Sequence, residues 1–204
     1  MHLAVDIGNV ICEVDLKKFT DRIEKCIPHA TDVETFMVSH QSLWDLGYTT
    51  VLDAVRDRYG ITSSDELKEV SDAWNSIIML NGTMLNLLES LKGSGVKIAF
   101  LSNIGTEHAE YLKKICPKMF EGCIEHLSFE VGARKPSLLY YQSFLLNNDE
   151  FAGAIFIDDR LENLKAAKKL RFKPYHFELD KMLALPSGQM KQELDKIKKY
   201  TINK

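Results

Sequence analysis

The chain has 204 residues, 45% of them apolar, and a formal net charge of −3, which suggests one domain or one domain with a modest insert. This apolar content excludes a disordered chain, and the slightly acidic balance argues against a dedicated nucleic-acid-binding protein. We expect no membrane span, because no apolar run approaches the ~20 residues that cross a bilayer. We also expect a cytoplasmic protein with reduced thiols, because the N-terminus lacks a signal-peptide pattern and the cysteines form no CxxC pair.

The first predicted element is a short buried strand at residues 3–5, and a long helical interval follows it. Apolar residues recur there at helical spacing behind Asp15, which suits a helix N-cap. The interval contains no convincing strand, and it is too long for a simple strand-to-helix loop. We therefore predict that residues 15–83 form a small inserted helical domain, and that residues 1–14 and 84–204 form the core.

Helices and strands alternate in the rest of the chain. Apolar stripes predict helices over residues 84–91, 138–145 and 161–170, with Pro136 in the first turn of the second. Runs of branched and aromatic residues predict buried strands at 96–101 and 154–157, with weaker signals at 123–124 and 175–177. This alternation is typical of an α/β protein with a largely parallel sheet.

Polar residues follow each of the three strong strands: Asp6 after the first, Ser102 and Asn103 after the second, Asp158 and Asp159 after the third. Ligands bind at the carboxyl ends of strands in an open parallel sheet, so we expect these side chains to share one crevice. The carboxylates would repel one another there, and an all-oxygen site that relieves the repulsion favours Mg²⁺. Lys135 supplies positive charge for an anion.

Four segments resemble, in order, the motifs of the haloacid dehalogenase (HAD) superfamily: residues 6–10, 100–103, 134–136 and 156–159. The resemblance covers essentially the whole chain. It implies a Rossmann-like α/β core, with a parallel sheet flanked by helices, and a small inserted helical cap. The Asp-x-Gly-Asn-Val form of the first motif is similar to a subgroup that includes glucose-1-phosphate phosphatase-like proteins.

The resemblance implies a Mg²⁺-dependent phosphatase that hydrolyses a small phosphate ester, such as a sugar phosphate, through an aspartyl-phosphate. It assigns Asp6 as the nucleophile, with Ser102 and Lys135 on the phosphoryl oxygens. The implied substrate-binding residues are Gly8, Asn9, Ser102, Asn103 and Lys135. The implied Mg²⁺ ligands are Asp6, the carbonyl of Gly8, Asp158 and Asp159. No prediction of oligomeric state follows from the sequence.

Gly8 departs from the superfamily pattern, because most of its phosphatases have at this position an aspartate that transfers protons to and from the reacting groups. General acid–base catalysis is worth roughly 10²–10⁴-fold in rate. One interpretation is a phosphatase with a good leaving group, or with a proton supplied by water or by a cap residue such as His40 or Asp45. A second is a catalytically weak or silent domain that binds a phosphorylated ligand or a protein partner. A third, a metal-independent dehalogenase, is disfavoured by the adjacent Asp158 and Asp159.

Overall fold

A sheet of parallel strands organises the protein, whose computed structural model describes residues 1–183, 185 and 187–202. The strands are β1 (His2–Val5), β2 (Cys12–Val14), β3 (Ile78–Leu80), β4 (Lys97–Ser102), β5 (Ile124–Leu127), β6 (Ile155–Asp158) and β7 (Lys173–His176). Within the described residues, five strands pair in parallel in the order β5-β4-β1-β6-β7, and β2 pairs antiparallel with β3. The predicted α/β fold with a parallel sheet is confirmed.

The centre of the sheet is formed by β1, which is flanked on its two edges by β4 and β6. Leu3 is in register with Ile98 on one side and with Ile155 on the other. All three strands are almost entirely apolar and buried, because helices cover both faces of the sheet. The carboxyl ends of β4, β1 and β6 therefore lie side by side at one edge.

Four helices lie between β2 and β3: α1 (Leu16–Cys26), α2 (Val33–Asp45), α3 (Val51–Tyr59) and α4 (Ser64–Ser76). The first of these begins where predicted, since the side chain of Asp15 accepts a hydrogen bond from the Lys18 amide at 3.2 Å. Helix α1 packs on α2 and α4, and α3 packs on α4. The assignment of residues 15–83 to a cap stays a prediction, and residues 184, 186, 203 and 204 of the predicted core lie outside the described residues.

The remaining helices follow β3 in the chain: α5 (Gly82–Gly93), α6 (Thr106–Ile115), α7 (Pro117–Phe120), α8 (Ser128–Val131), α9 (Leu138–Asn147), α10 (Leu161–Lys168), α11 (Leu179–Leu183) and α12 (Ser187–Ile202). A short 3₁₀ turn spans Asp149–Phe151. Helix α5 packs its apolar stripe on one face of the sheet, and α9 and α10 cover the opposite face. Within the described ranges, no helix combines the length and the apolarity needed to cross a membrane.

Two local predictions are wrong. The interval from residue 15 to residue 83 does contain a strand, β3, which escapes notice because it has three residues and pairs with an equally short strand. Pro136 is not in the first turn of α9. The Ser137 amide donates to the Arg134 carbonyl at 3.0 Å, so the proline lies inside a preceding turn, and the helix begins at Leu138.

Candidate active site

The predicted site residues of three strands meet at the carboxyl edge of the sheet. Asp6 follows β1, Ser102 ends β4 and Asp158 ends β6, and all three side chains are buried. Their proximity follows from the topology, because β1 lies between the other two strands. A cluster of ionisable side chains this deeply buried requires compensating charge.

That charge comes from Lys135, which is 1% exposed and lies between two carboxylates. Its Nζ is 2.8 Å from Oδ2 of Asp6 and 2.7 Å from Oδ2 of Asp158. The side chain of Asn103 holds the backbone of Lys135. Oδ1 of Asn103 accepts from the Lys135 amide at 2.8 Å, and Nδ2 of Asn103 donates to the Lys135 carbonyl at 2.9 Å. The second motif thereby holds the third in place.

The pKa values of this pair reflect burial and mutual attraction. Burial raises the pKa of Asp6 to about 7, against the opposing effect of Lys135, and the negative charge of Asp158 adds to the rise. Burial alone would lower the pKa of Lys135, but Asp6 and Asp158 outweigh it, so this pKa is raised and the ammonium stays charged. One ammonium faces two carboxylates, which leaves the cluster with an excess of negative charge.

Three carboxylates form a candidate cation site. Asp6, Asp158 and Asp159 each offer an oxygen, and these atoms all lie within 4.8 Å of one another. Asp158 is held in place, since its Oδ1 accepts from the Arg160 amide at 2.8 Å and from Nδ2 of Asn163 at 2.9 Å. Burial, followed by the charge of Asp158, raises the pKa of Asp159. These oxygen donors fit Mg²⁺, which prefers carboxylates and water.

The turn after β1 places Gly8 and Asn9 beside this cluster. Asn9 has a left-handed backbone with φ of 51°. Its amide donates to the Cys12 carbonyl at 2.6 Å. In its side chain, Nδ2 donates to Oδ2 of Asp159 at 3.2 Å, and Oδ1 accepts from the Val14 amide at 3.1 Å. Asn9 therefore holds the turn, and its predicted role in phosphate binding stays a prediction. A Cβ at Gly8 would meet Cγ2 of Val14 at an ordinary 3.6 Å, so the turn has room for a Cβ atom there.

A cavity of about 100 Å³ lies between helices α2 and α4 and the site. Gly8, Ser102 and Asn103 line it from the core. Its apolar lining includes Ile7, Val14, Trp44, Trp74, Ile104 and Leu112. This cavity lies beside the residues that follow β1 and β4, and its walls are mostly apolar.

Asp45 and His108 also line this cavity. Asp45, the last residue of α2, lies 3.0 Å from Nη2 of Arg134, and burial raises its pKa to about 6 against the positive charges of Arg134, Lys135 and Arg160. His108 stacks on Trp74 with ring centroids 4.1 Å apart, and its Nε2 contacts the Trp74 carbonyl at 3.0 Å.

Burial lowers the pKa of His108 to about 4, so its ring is neutral near pH 7. No sequence motif marks this residue as part of the site. The available signal was its place on the apolar face of α6, beside Ala109 and in phase with Leu112. His40, the other cap residue considered as a proton donor, is exposed and contacts the Phe36 carbonyl of its own helix at 2.9 Å.

Several solved structures have a fold similar to that of this chain. A complex of the HAD family enzyme BT-2542 of Bacteroides thetaiotaomicron with magnesium and inorganic phosphate gives a TM-score of 0.77 at 20% identity, over 93% of this chain and 98% of that one. Its magnesium complex gives 0.74 at 25% identity, over 87% and 93%. A HAD-like family hydrolase from Porphyromonas gingivalis gives 0.72 at 16% identity, over 91% and 98%.

Among curated proteins, the chain is similar to the sesquiterpene phosphatase astK of Aspergillus oryzae (strain ATCC 42149 / RIB 40). The two are 36% identical over 88 residues, which is 42% of this chain and 44% of that protein. The similarity thus spans less than half of this relative. No protein-family model matches the chain. In its fold, and in the four motifs gathered at the carboxyl edge of its sheet, the chain is similar to enzymes of the haloacid dehalogenase superfamily.

Proposed function

We propose that the protein is a Mg²⁺-dependent phosphoric monoester hydrolase that works through an aspartyl-phosphate intermediate. The observation that carries the proposal is the buried Asp6–Lys135–Asp158 cluster, with Asp159 completing a set of carboxylates suited to Mg²⁺. Support also comes from BT-2542, which binds magnesium and inorganic phosphate. A cytoplasmic location is part of the proposal and rests on the sequence pattern.

The residues have distinct roles in this proposal. A carboxylate oxygen of Asp6 attacks phosphorus, while the Ile7 amide holds Oδ1 of Asp6 at 2.7 Å and so orients the group. Lys135 and the hydroxyl of Ser102 bind phosphoryl oxygens. Asp6, the carbonyl of Gly8, Asp158 and Asp159 would hold Mg²⁺, which when bound supplies charge neutralisation to the phosphoryl group.

Two substrate classes follow from different observations. The resemblance of the first motif suggests a sugar phosphate. The apolar walls of the cavity instead favour a leaving alcohol with an apolar surface, and the curated relative is named as a sesquiterpene phosphatase. Comparing kcat/KM for a hexose phosphate and for a branched alkyl phosphate distinguishes the two. A higher value for the alkyl ester supports the apolar class, and a higher value for the hexose ester supports the sugar phosphate.

The first experiment measures phosphate release from an activated aryl phosphate, whose leaving group needs little protonation. We expect turnover with Mg²⁺, and none in excess chelator. Asp6→Asn should lower it by at least about 10³-fold, because the nucleophile is removed. The matched control is Asp57→Asn, at an exposed cap residue, which should retain full activity.

The alternatives give other results. Absence of turnover in folded wild-type protein, with phosphate still bound, would indicate the silent domain that binds a phosphorylated ligand or a protein partner. Release of halide from a 2-haloacid in excess chelator would indicate the metal-independent dehalogenase. Either result would overturn the proposed phosphatase.

A further inference from the structure

We propose that Asp45, at the end of cap helix α2, is the acid that protonates the leaving oxygen and the base that then activates water, in place of a side chain at Gly8. This inference rests on the proposed phosphatase function. It names the proton carrier that the turn after β1 lacks.

The first observation is placement. The cavity beside the Asp6 cluster is lined by Gly8 and Ser102 from the core and by Asp45 from the cap. Among the described residues that line this cavity, Asp45 carries the one carboxyl group. The other ionisable groups there are poorly suited to proton transfer, because His108 is neutral and contacts the Trp74 carbonyl, and burial raises the pKa of the Cys12 thiol to about 12.

The second observation is that the backbone around Asp45 is fixed against the core. A Cβ at Gly105, which precedes α6, would lie 3.2 Å from the Trp44 carbonyl oxygen. A Cβ at Gly47 would lie 3.0 Å from the Phe129 carbonyl oxygen. The main chain therefore runs close to the core on both sides of Asp45, and a glycine is present at each of these close approaches.

The third observation is an oxygen without a hydrogen bond. Oδ2 of Asp45 is buried and accepts no hydrogen bond from the described residues. Arg134 pairs with this oxygen at 3.0 Å, but off the direction of its N–H bonds. Besides its ion pair with Arg134, this oxygen can therefore take a further hydrogen-bond partner from the cavity. A leaving-group oxygen would supply that partner.

The charges around Asp45 suit proton transfer near neutral pH. Burial raises its pKa to about 6, and the facing groups that oppose the rise are Arg134, Lys135 and Arg160. A phosphate dianion bound nearby would raise the pKa further, because it adds negative charge. An acid whose pKa lies near the working pH is the most effective in general acid catalysis.

The proton and the bonds balance over the two steps. In the first, an Asp6 oxygen bonds to phosphorus, the bond from phosphorus to the leaving oxygen breaks, and that oxygen takes the proton of Asp45 to give an alcohol. In the second, Asp45 takes a proton from water as the water oxygen bonds to phosphorus. The bond from Asp6 to phosphorus then breaks, which releases phosphate and restores both carboxyl groups.

The test compares kcat/KM for an alkyl phosphate and for p-nitrophenyl phosphate, in Mg²⁺, for wild type and Asp45→Asn. We expect a 10²–10⁴-fold loss with the alkyl ester, because its alkoxide needs a proton. We expect a change of less than about threefold with the aryl ester, because phenolate leaves without one. Asp45→Asn should also show a burst of nitrophenol, one per enzyme, since water attack has lost its base.

Arg134→Gln is the matched control, because it removes the ion pair and keeps the carboxyl group. If Asp45 only positions the cap, Asp45→Asn and Arg134→Gln lower kcat/KM for both esters equally, and the proposal is overturned. An unchanged alkyl kcat/KM in folded Asp45→Asn overturns it as well. Aryl hydrolysis that is absent from wild type, or that survives Asp6→Asn, overturns the phosphatase function itself and this inference with it.

A second measurement needs no variant. In wild type, kcat/KM for the alkyl ester should fall as pH rises above about 6, because the acid form of Asp45 is lost. The aryl ester should not show this additional fall. The same alkaline decline for both esters would contradict the assignment.

Discussion

The buried ammonium of Lys135 lies between two carboxylates, so replacing it with an apolar side chain should lower the free energy of unfolding. In Lys135→Met, Asp6 and Asp158 lose a partner that lies 2.8 and 2.7 Å away, so negative charge is left buried without compensation. We expect the free energy of unfolding in urea to fall by about 3–5 kcal/mol at pH 8 without metal. Phosphatase activity should be lost as well.

The deficit of Lys135→Met should shrink at pH 6. Burial already raises the pKa of Asp6 to about 7, and losing the ammonium raises it further. The folded variant therefore binds a proton more tightly than the unfolded chain, so its stability rises as pH falls through this pKa. Lys97→Met, at an exposed lysine 3.8 Å from Glu150, is the control and should cost under about 1 kcal/mol. An equal deficit at pH 6 and pH 8 would refute the argument.

At the scale of elements, the chain that follows α2 runs close to the core at Gly47. Gly47 and Gly60 both have left-handed backbones, with φ of 73° and 62°. A Cβ at Gly47 would meet the Phe129 carbonyl oxygen at 3.0 Å, whereas a Cβ at Gly60 would meet nothing within 4 Å. Alanine at Gly60 would therefore add backbone strain alone, whereas alanine at Gly47 would add the same strain and a steric contact with Phe129.

We expect Gly60→Ala to cost about 1–2 kcal/mol, the strain of a left-handed alanine, and to leave kcat/KM unchanged. Gly47→Ala should cost more, because the end of α2 must also move away from Phe129. It should lower kcat/KM for an alkyl phosphate, since Asp45 is displaced with the helix. Urea unfolding and steady-state kinetics measure both effects. Equal costs for the two variants would show that the contact at Gly47 is not a constraint.

Some helices and strands can be predicted from their own residues, whereas others depend on residues far away in the sequence. Strands β1, β4 and β6 are predictable because each is a buried apolar run between turn residues. The N-terminus of α3 shows both cases. Thr50 caps it from the adjacent position, but the amides of Val51 and Leu52 also donate to Glu107, at 2.6 and 3.1 Å. No sequence pattern near residue 51 predicts that Glu107, more than 50 residues away, accepts these hydrogen bonds.

At the scale of the molecule, the same division applies to the site. The sequence predicts that Asp6, Ser102 and Asp158 lie close together, because parallel strands end at one edge of a sheet. The three strands that carry these residues, β1, β4 and β6, are neighbours in the sheet. The cavity and the burial of Asp45 are not predictable in this way, since they arise where the cap packs on the core. Trp44 and Trp74 line that space, whereas Tyr48, an aromatic residue between α2 and α3, is 74% exposed.

Because the cluster carries an excess of negative charge, we expect the stability of the whole molecule to respond to Mg²⁺. A ligand that binds the folded state at ten times its dissociation constant adds about 1.4 kcal/mol, which for a chain of this size raises Tm by about 3–5 °C. Wild type should show this rise in a thermal scan. Asp159→Asn should show a smaller rise at the same concentration, because one of three carboxylate ligands is lost.

The controls distinguish a site from general screening of charge. Asp57→Asn removes an exposed carboxylate far from the cluster in sequence, so its Mg²⁺ response should equal that of wild type. Potassium chloride at matched ionic strength should give little of the rise, because screening acts weakly on buried groups. If Asp159→Asn responds as fully as wild type, or if potassium reproduces the effect, then Mg²⁺ does not bind at these carboxylates. Mg²⁺ would then have to be removed from the proposed reaction, whereas Asp6 and Lys135 would keep their roles.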